Sequence, residues 1–476
     1  MNTPQNPRNA RSRRGVVIAC CLAAGALFGV LALRTGLRSG GEYRARGETV
    51  TTTARGTSRP DGAATNDRAG ASSPQPVPTT TTPSAASAGL GVTWPHATFE
   101  VSDPGEWDDA VRAARPGDVI RLVATIGRPL SYRGSSAPRA DVRGGGGTAA
   151  RPLTITAASG VWIDPGDTSN DKPGLDVMYT SHVNVVGVNV RNSQFGIRVQ
   201  NSTGTAAAPI RVADNQVTDI GHAGIHVGGD VIDHTPSRHV TVEANTVSRT
   251  GRTAPEYGEG IYIGYGGREW ADTTSDVTVV DNEIAETGAE GVDIKPGTRN
   301  ITVEDNRIHD LSPLSGGAIS AHYVGEVTNP DLDRSGNIMI RGNRIWNITL
   351  DGRPGSNNWA IWVGHGGVTI TENLIWGLRD DPGATRAVRV RSPMSFGPNP
   401  IVITDNVFWT ATGWVAEGQP AGAGLVQASG NRGPAGADGV ETPIEPPGAP
   451  ALGRSGPADA GAGPGSVFNQ SLGASP

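Results

Sequence analysis

The amino-acid sequence predicts an all-β fold, a right-handed parallel β-helix of about ten rungs with a short N-terminal capping helix. One short phrase recurs along the chain, in which two β-branched residues precede an Asn and another apolar residue follows it. Its Asn residues are Asn215, Asn245, Asn282, Asn306, Asn343, Asn373 and Asn406. Period-two alternation of β-branched residues is typical of a strand with one buried face. The phrases are unevenly spaced, which indicates a solenoid whose constant rungs are joined by loops of variable length.

A second strand can be aligned in each rung without gaps. Its copies are residues 196–200, 224–228, 260–264, 291–295, 318–322, 360–364 and 387–391. The second and fourth residues of each copy are apolar and should point inward, so the third and fifth should point outward. Because neighbouring rungs of a β-helix lie about 4.8 Å apart, the outward residues should form columns. The Asn column is expected to be structural, with stacked amides hydrogen-bonding along a turn. Three tryptophans that follow the Asn strand are expected to serve packing: Trp346, Trp376 and Trp409.

The outward columns carry an unusual mixture of titratable, aromatic and glycine residues. One column is Arg198, His226, Tyr262, Asp293, Ser320, Trp362 and Arg389. The next is Gln200, Gly228, Gly264, Lys295, His322, Gly364 and Arg391. Glu259 and Glu290 directly precede the aligned strand on adjoining rungs, and the loops at 250–258 and 265–275 are expected to enter this face.

Aromatic rings and cations along a groove suit an extended anionic polysaccharide, because rings pack under sugars and cations bind carboxylates. The expected substrate-binding residues are therefore His226, Asp293, Ser320, Trp362, Arg389 and Arg391.

The chain divides into four regions by composition. Residues 1–38 hold a basic segment and an uncharged run from 15 to 33, which predicts an N-terminal membrane anchor or a cleaved signal. Residues 39–91 are rich in Thr, Ser, Pro and Ala and are expected to form a disordered stalk, and 433–476 a disordered tail. The β-helix domain is expected at 92–432. The protein should therefore be extracellular, either tethered to the membrane or secreted.

Charge and cysteine usage exclude several classes. A net charge of −6 with both signs interspersed does not indicate a nucleic-acid partner. Both cysteines, Cys20 and Cys21, lie in the N-terminal apolar run, so the remainder has neither a disulfide nor a thiolate metal site. We expect a monomer.

The start of the β-helix domain resembles a known group. A short amphipathic helix at about residues 105–115, stopped by Pro116 and Gly117, leads into a strand at 119–123. This arrangement resembles the N-terminal cap of secreted right-handed parallel β-helix proteins, the pectate-lyase-like superfamily. The stretch 151–156 is similar to an early strand of that group.

A second resemblance concerns the chemistry. Glu290 and Lys295, followed by Asn300 and Asn306, resemble the Glu-x-x-x-x-Lys stretch of the polysaccharide lyase family that contains chondroitinase B and β-helical alginate lyases. This resemblance implies β-elimination on a uronate-containing glycan. It gives Lys295 the role of base, with its pKa lowered by burial and a nearby cation, and gives Glu290 with Glu259 the role of holding Ca²⁺.

The proton donor is less clearly defined by this resemblance. The family has an Arg as acid on the rung after the Lys, whereas this chain has Ser320 and His322 there. His322 or Tyr262 is therefore the expected donor.

Three alternatives remain open on the same scaffold. Glu259 with Glu290 or Asp293 would suit a glycoside hydrolase. A C5-epimerase shares the proton abstraction and needs a second base, and a non-catalytic cell-surface glycan binder would not need Lys295.

Overall fold

The protein is a right-handed parallel β-helix, as the sequence predicts. The computed structural model describes residues 98–134, 146–169, 172–230, 234–266, 272–312, 317–321, 336–349, 359–378, 386–391, 399–408, 412–417 and 426–433. Within these ranges three parallel sheets surround one apolar core, and each full rung passes from the first sheet to the second and then the third. Parallel crossovers of this kind are right-handed in almost all proteins.

The first sheet contains the strands that precede the Asn residues. In the described residues its order is Thr98–Val101, Val119–Leu122, Leu153–Ala157, Val183–Val186, Ile210–Ala213, Arg238–Glu243, Ser275–Val280, Arg299–Glu304, Gly336–Arg341, Val368–Thr371, Ile401–Thr404 and Val426–Ser429.

The second sheet contains the short strands that follow the Asn residues. Its described strands are Trp162–Ile163, Asn189–Arg191, Gln216–Thr218, Thr246–Ser248, Glu283–Ala285, Arg307–His309, Arg344–Trp346, Leu374–Trp376 and Val407–Phe408.

The third sheet corresponds to the aligned second strand of the sequence, and its ten described strands confirm the expected number of rungs. They are Leu130–Arg133, Pro173–Met178, Phe195–Gln200, Ile225–Gly228, Ile261–Ile263, Val292–Ile294, Gly317–Ala321, Trp359–Val363, Arg386–Arg391 and Thr412–Glu417.

The sequence phrase around each Asn forms two strands rather than one. The residue before the Asn lies in the left-handed region, for example Asp281 at φ 55° and Asp305 at φ 54°. This turns the chain between the first and second sheets. The sequence pattern predicted two strands in each rung where the structure has three. The strands before and after the Asn were read as one, because the alternation of apolar residues continues through the turn between them.

The helix at Pro104–Ala113 forms the expected lid over the first rung. The Asp103 carboxylate accepts hydrogen bonds from the backbone N–H groups of Gly105 and Glu106, which satisfies two donors of the first turn. Trp107 is buried, and its indole N–H donates to the Ser131 carbonyl at 3.0 Å. The lid covers core side chains that the first rung would otherwise expose.

A ladder of buried Asn side chains runs along the turn between the first and second sheets. Asn282 Nδ2 donates to Asn306 Oδ1 at 2.9 Å, and Asn282 Oδ1 accepts from the backbone N and Nδ2 of Asn245 at 3.0 and 2.9 Å. The same pattern links all seven predicted residues and continues to Asn431. The structural role expected for this column is confirmed.

Two of the three tryptophans pack as expected. The Trp346 and Trp376 rings stack with centroids 4.9 Å apart, and His309 stacks on Trp346 at 4.3 Å. Trp409 lies outside the described residues.

The N-terminal segment, the stalk and the tail also lie outside the described residues, so the predicted region boundaries stay predictions. In the described part of the chain, no helix has both the length and the hydropathy needed to cross a bilayer.

The ladder yields a stability prediction. Asn282→Ala leaves two donors of Asn245 without their acceptor in a buried turn, at a cost of about 1–3 kcal/mol for each unsatisfied group. The midpoint of thermal unfolding should therefore fall markedly. The control is Asn189→Ala, because the half-buried Asn189 makes one side-chain hydrogen bond, to the Val161 carbonyl. Equal midpoints for the two variants would contradict a structural role for the ladder.

Candidate functional site

The outward column of the third sheet has the predicted register. Each of seven consecutive strands contributes one residue, and paired neighbours run through Arg198, His226, Tyr262, Asp293, Ser320, Trp362 and Arg389. The in-register pairing explains why side chains distant in sequence lie beside one another.

A cavity of about 430 Å³ occupies part of this face. It is lined by Phe195, His222, Ala223, His226, Glu256, Tyr257, Glu259, Tyr262, Tyr265, Gly266, Glu290 and Lys295. The loops at 250–258 and 265–275, which were expected to enter this face, contribute Tyr257 and Tyr265 to the lining.

The cavity brings together only part of the predicted site. His226, Tyr262, Glu259, Glu290 and Lys295 line it directly. The other predicted residues that the structure describes do not line the cavity. Asp293 and Ser320 are fully buried, and Trp362 and Arg389 lie on later rungs, where the Arg389 guanidinium stacks on the Trp359 ring at 4.5 Å. His322 and the Arg391 side chain fall outside the described part of the structure.

Lys295 is held between an anion and an aromatic face. Its Nζ lies 2.5 Å from Asp293 Oδ2 and 4.8 Å from the centroid of the Tyr262 ring. Gly264 and Gly266 leave room for its stem, because a Cβ at Gly266 would lie 3.3 Å from Lys295 Cε. The side chain is 15% exposed, so the amine faces the cavity while Asp293, at 1%, lies beneath it.

The pKa of Lys295 is shifted opposite to the sequence-based expectation. Burial lowers this pKa, but the interaction with Asp293, followed by those with Tyr262, Glu259 and Glu290, outweighs burial and raises it above its ordinary value. Without a further cation nearby, Lys295 is an ammonium ion at neutral pH.

Three carboxylates meet beside this ammonium. Glu259 and Glu290 occupy equivalent positions on adjoining rungs, and Asp293 lies on the strand that follows Glu290. One oxygen from each lies within 4.8 Å of the others, and all three residues are buried. This arrangement can share a cation or a proton.

Glu259 has a pKa well above the ordinary value of a carboxyl group. Burial, the negative charge of Asp293 and, less strongly, that of Glu290 raise its pKa to about 8, although Lys295 opposes the shift. Glu259 is therefore mostly protonated at neutral pH and can donate a proton.

His226 is not an acid or base in this arrangement. Burial and the positive charges of Arg198 and Lys295 lower its pKa to about 3, so the imidazole is neutral. Its Nε2 lies 3.1 Å from the Gly264 carbonyl, which assigns the proton to that nitrogen. His226 also contacts Tyr262 edge to face at 4.9 Å and so orients that ring.

The aromatic wall formed by Phe195, His222 and Tyr257 was not predicted from sequence. These residues lie just outside the aligned strands, so strand periodicity could not identify them.

The composition of the chain singles out Lys295. Of the 40 basic residues only two are lysines, Lys172 and Lys295.

Comparisons with known proteins agree with the fold. Residues 142–350 match the family model described as NosD, periplasmic copper-binding protein. No curated protein matches the chain. An alginate lyase from Paenibacillus sp. str. FPU-7 is 19% identical with a TM-score of 0.46, over 70% of this chain and 99% of that chain.

Two further solved structures are similar. Pectate lyase Pel9A is 14% identical with a TM-score of 0.37, over 68% of this chain and 73% of that one. PfbA, a surface adhesin of Streptococcus pneumoniae, is 12% identical with a TM-score of 0.42, over 69% and 85%. These similarities concern the fold alone, a scaffold shared by lyases and an adhesin.

The carboxylate cluster does not fit copper. Among the described residues, the group able to offer three metal ligands consists of Glu259, Glu290 and Asp293, which supply only carboxylate oxygens. Copper favours imidazole, thiolate or thioether ligands, whereas carboxylates suit calcium, magnesium or manganese. The residues present therefore fit a hard divalent cation.

The raised pKa of Glu259 should make the folding stability of the protein depend on pH. Between about pH 4.5 and pH 8 the folded protein keeps a proton that the unfolded chain releases, so Glu259 makes stability fall as pH rises through that window. Glu259→Gln removes this dependence. In buffer with EDTA, the thermal midpoint of the variant relative to wild type should rise from about pH 5 to about pH 9.

The exposed Glu256 offers a matched control, since Glu256→Gln should show no such trend. A difference for Glu259→Gln that stays constant with pH would contradict the assignment.

Proposed function

We propose that the protein is an exported polysaccharide lyase that cleaves uronate-containing glycans by β-elimination in the cavity of the third sheet. The observation that carries this proposal is the Lys295 amine at the cavity floor, oriented by buried Asp293 and flanked by Glu259 and Glu290.

The rarity of lysine supports a chemical role for this residue. A structural ion pair with Asp293 could be made by Arg, which binds carboxylates with better geometry and is far commoner in this chain. Lys differs from Arg in being able to release its proton within the range accessible to proteins. A lysine at this position is therefore suited to proton transfer.

The reaction needs three tasks at the uronate in the cavity. The Lys295 amine, once it has lost its own proton, takes the C5 proton, the electron pair of that bond forms the C4–C5 double bond, and the C4–O4 bond breaks. O4 leaves with a proton from Tyr262 or His322. Tyr262 suits this role, because its oxygen accepts the Gly266 N–H at 2.9 Å and its own hydrogen remains available. Burial raises the pKa of Tyr262, so its proton is present at neutral pH.

The substrate carboxylate must also be neutralised. Glu259, Glu290 and Asp293 would hold Ca²⁺, with Glu259 giving up its proton to do so. A bound calcium ion supplies charge that pairs with the uronate, acidifies its C5 proton and offsets the carboxylates that keep Lys295 protonated.

Residues farther along the column would bind additional sugar units. Trp362 lies two rungs beyond Asp293, and Arg389 and Arg391 share the strand of the next rung. Their aromatic and cationic groups suit an anionic chain. The polymer would therefore lie along the helix axis. Since one chain supplies all the cavity residues, a monomer would suffice, and the N-terminal segment would tether it outside the cell.

A glycoside hydrolase is the second candidate, favoured by the raised pKa of Glu259. Glu259, with its raised pKa, lines the same cavity as Glu290, and their oxygens lie within 4.8 Å of each other. A carboxyl pair this close resembles that of retaining hydrolases. Hydrolysis produces reducing ends without the ultraviolet absorbance of an unsaturated uronate.

Lys295 variants test the lyase directly. Lys295→Arg keeps the positive charge beside Asp293 but cannot act as a base, so the absorbance-based rate on uronate polymers should fall at least about 100-fold while the thermal midpoint changes little. Lys295→Met should lose activity and also lower the midpoint, because it leaves Asp293 buried without its cation.

Lys172→Arg is the control, since it alters the other lysine, which is exposed. Full activity of Lys295→Arg would place the base elsewhere. Reducing ends that form without absorbance would favour the hydrolase.

Calcium dependence is tested at Glu290. EDTA should abolish activity, and Glu290→Gln should raise the calcium concentration needed for half-maximal rate by at least about tenfold. Titration calorimetry with calcium alone should show the same weakening. Glu286→Gln, an exposed change in the same turn, should match wild type. Full activity in EDTA would exclude the calcium role.

A further inference from the structure

Tyr257 is an exposed aromatic residue at the mouth of the cavity. Its side chain is 52% exposed, the only large hydrophobic residue so exposed in the described part of the chain, and it lines the cavity. A tyrosine ring left in solvent beside a binding cavity presents a flat apolar surface to a ligand.

Two other rings support Tyr257 from behind. The His222 ring stacks on Tyr257 with centroids 5.8 Å apart and an interplanar angle of 28°. Phe195 meets His222 edge to face at 5.3 Å. One face of the Tyr257 ring is thus covered by His222. A sugar ring can therefore pack only against the opposite face.

The loop that carries Tyr257 is held rigidly. Three glycines pack backbone to backbone beneath it, since a Cβ at Gly288 would lie 2.9 Å from the Pro255 carbonyl and one at Gly258 would lie 2.5 Å from Gly251 Cα. The Thr250 hydroxyl donates to the Gly258 carbonyl at 2.6 Å. The Tyr257 ring and the loop that carries it, here called the platform, therefore lose little conformational entropy when a ligand binds.

The charges near the platform select the type of ring. Glu256 adjoins Tyr257, and Lys295 is the only Lys or Arg among the lining residues that the structure describes. That lysine pairs with Asp293. A second uronate placed over Tyr257 would set its carboxylate near Glu256, and no other Lys or Arg among the described lining residues would balance it.

We infer that Tyr257 is the platform of a sugar subsite that takes an uncharged pyranose ring, next to the uronate subsite at Lys295. The inference rests on the proposed function and narrows its substrate to a mixed polymer in which uronates alternate with uncharged sugars.

Binding is tested without cleavage in the Lys295→Arg background by affinity electrophoresis. Hyaluronan and heparosan are the mixed polymers, and polygalacturonate and polymannuronate are the uniform polyuronates. Tyr257→Ala should weaken retention on a mixed polymer roughly three- to tenfold, whereas Tyr257→Phe should retain it because the ring remains. The polyuronates should be retained less, with no dependence on Tyr257.

Gly288→Ala provides an independent variant that keeps the tyrosine. The new Cβ must displace the Pro255 backbone and therefore the Tyr257 ring, so retention should fall as in Tyr257→Ala. The thermal midpoint is measured for each variant, and the comparison uses variants folded at the assay temperature.

The outcomes separate this inference from the proposed function. Unchanged retention in Tyr257→Ala, or equal Tyr257 dependence on the polyuronates, overturns the inference even if wild type produces unsaturated products. Absence of retention on all four polymers also overturns it. Tyr257-dependent binding of a mixed polymer that wild type never cleaves supports the subsite and refutes the lyase.

Discussion

The structure depends on hydrogen bonding along the axis, from each rung to the next in register. Backbone pairing in three sheets fixes this register, and the Asn282 amide with its neighbours repeats it inside the turn. Since each strand pairs only with strands of the adjacent rungs, the loops between rungs can differ in length without disturbing the sheets. The candidate site depends on this constant register, because it needs residues from several rungs at fixed separations.

The same constraint explains how so many ionisable groups can be buried together. Glu259, Glu290, Asp293 and Lys295 come from two adjoining rungs, whose backbone cannot relax to separate them. Burial and, after it, the like charges held at this distance raise the pKa of Glu259. A flexible loop would instead move its carboxylates apart.

The sequence predicts the repeated parts of this molecule well. Strand alternation and the Asn phrase determine the sheets, and alignment of the strands brings Tyr262 next to Asp293 as observed. It predicts the non-repeated parts poorly, because Tyr257 lies in a loop whose path depends on glycine contacts between distant segments. The direction of the Lys295 pKa shift also eluded pattern reasoning, since it depends on the sum of burial and several opposing charges.

The orientation of the ladder has a mechanical consequence. The hydrogen bonds of the sheets and the Asn306 amide hydrogen bonds point along the helix axis. Tension along that axis would therefore pull neighbouring rungs directly apart, and the rungs would separate one after another. Tension across the axis would instead pull along the strands and load many hydrogen bonds of a sheet in shear. A force that acts across the axis would thus be resisted by the sheets collectively, whereas an axial force would separate the terminal rung first.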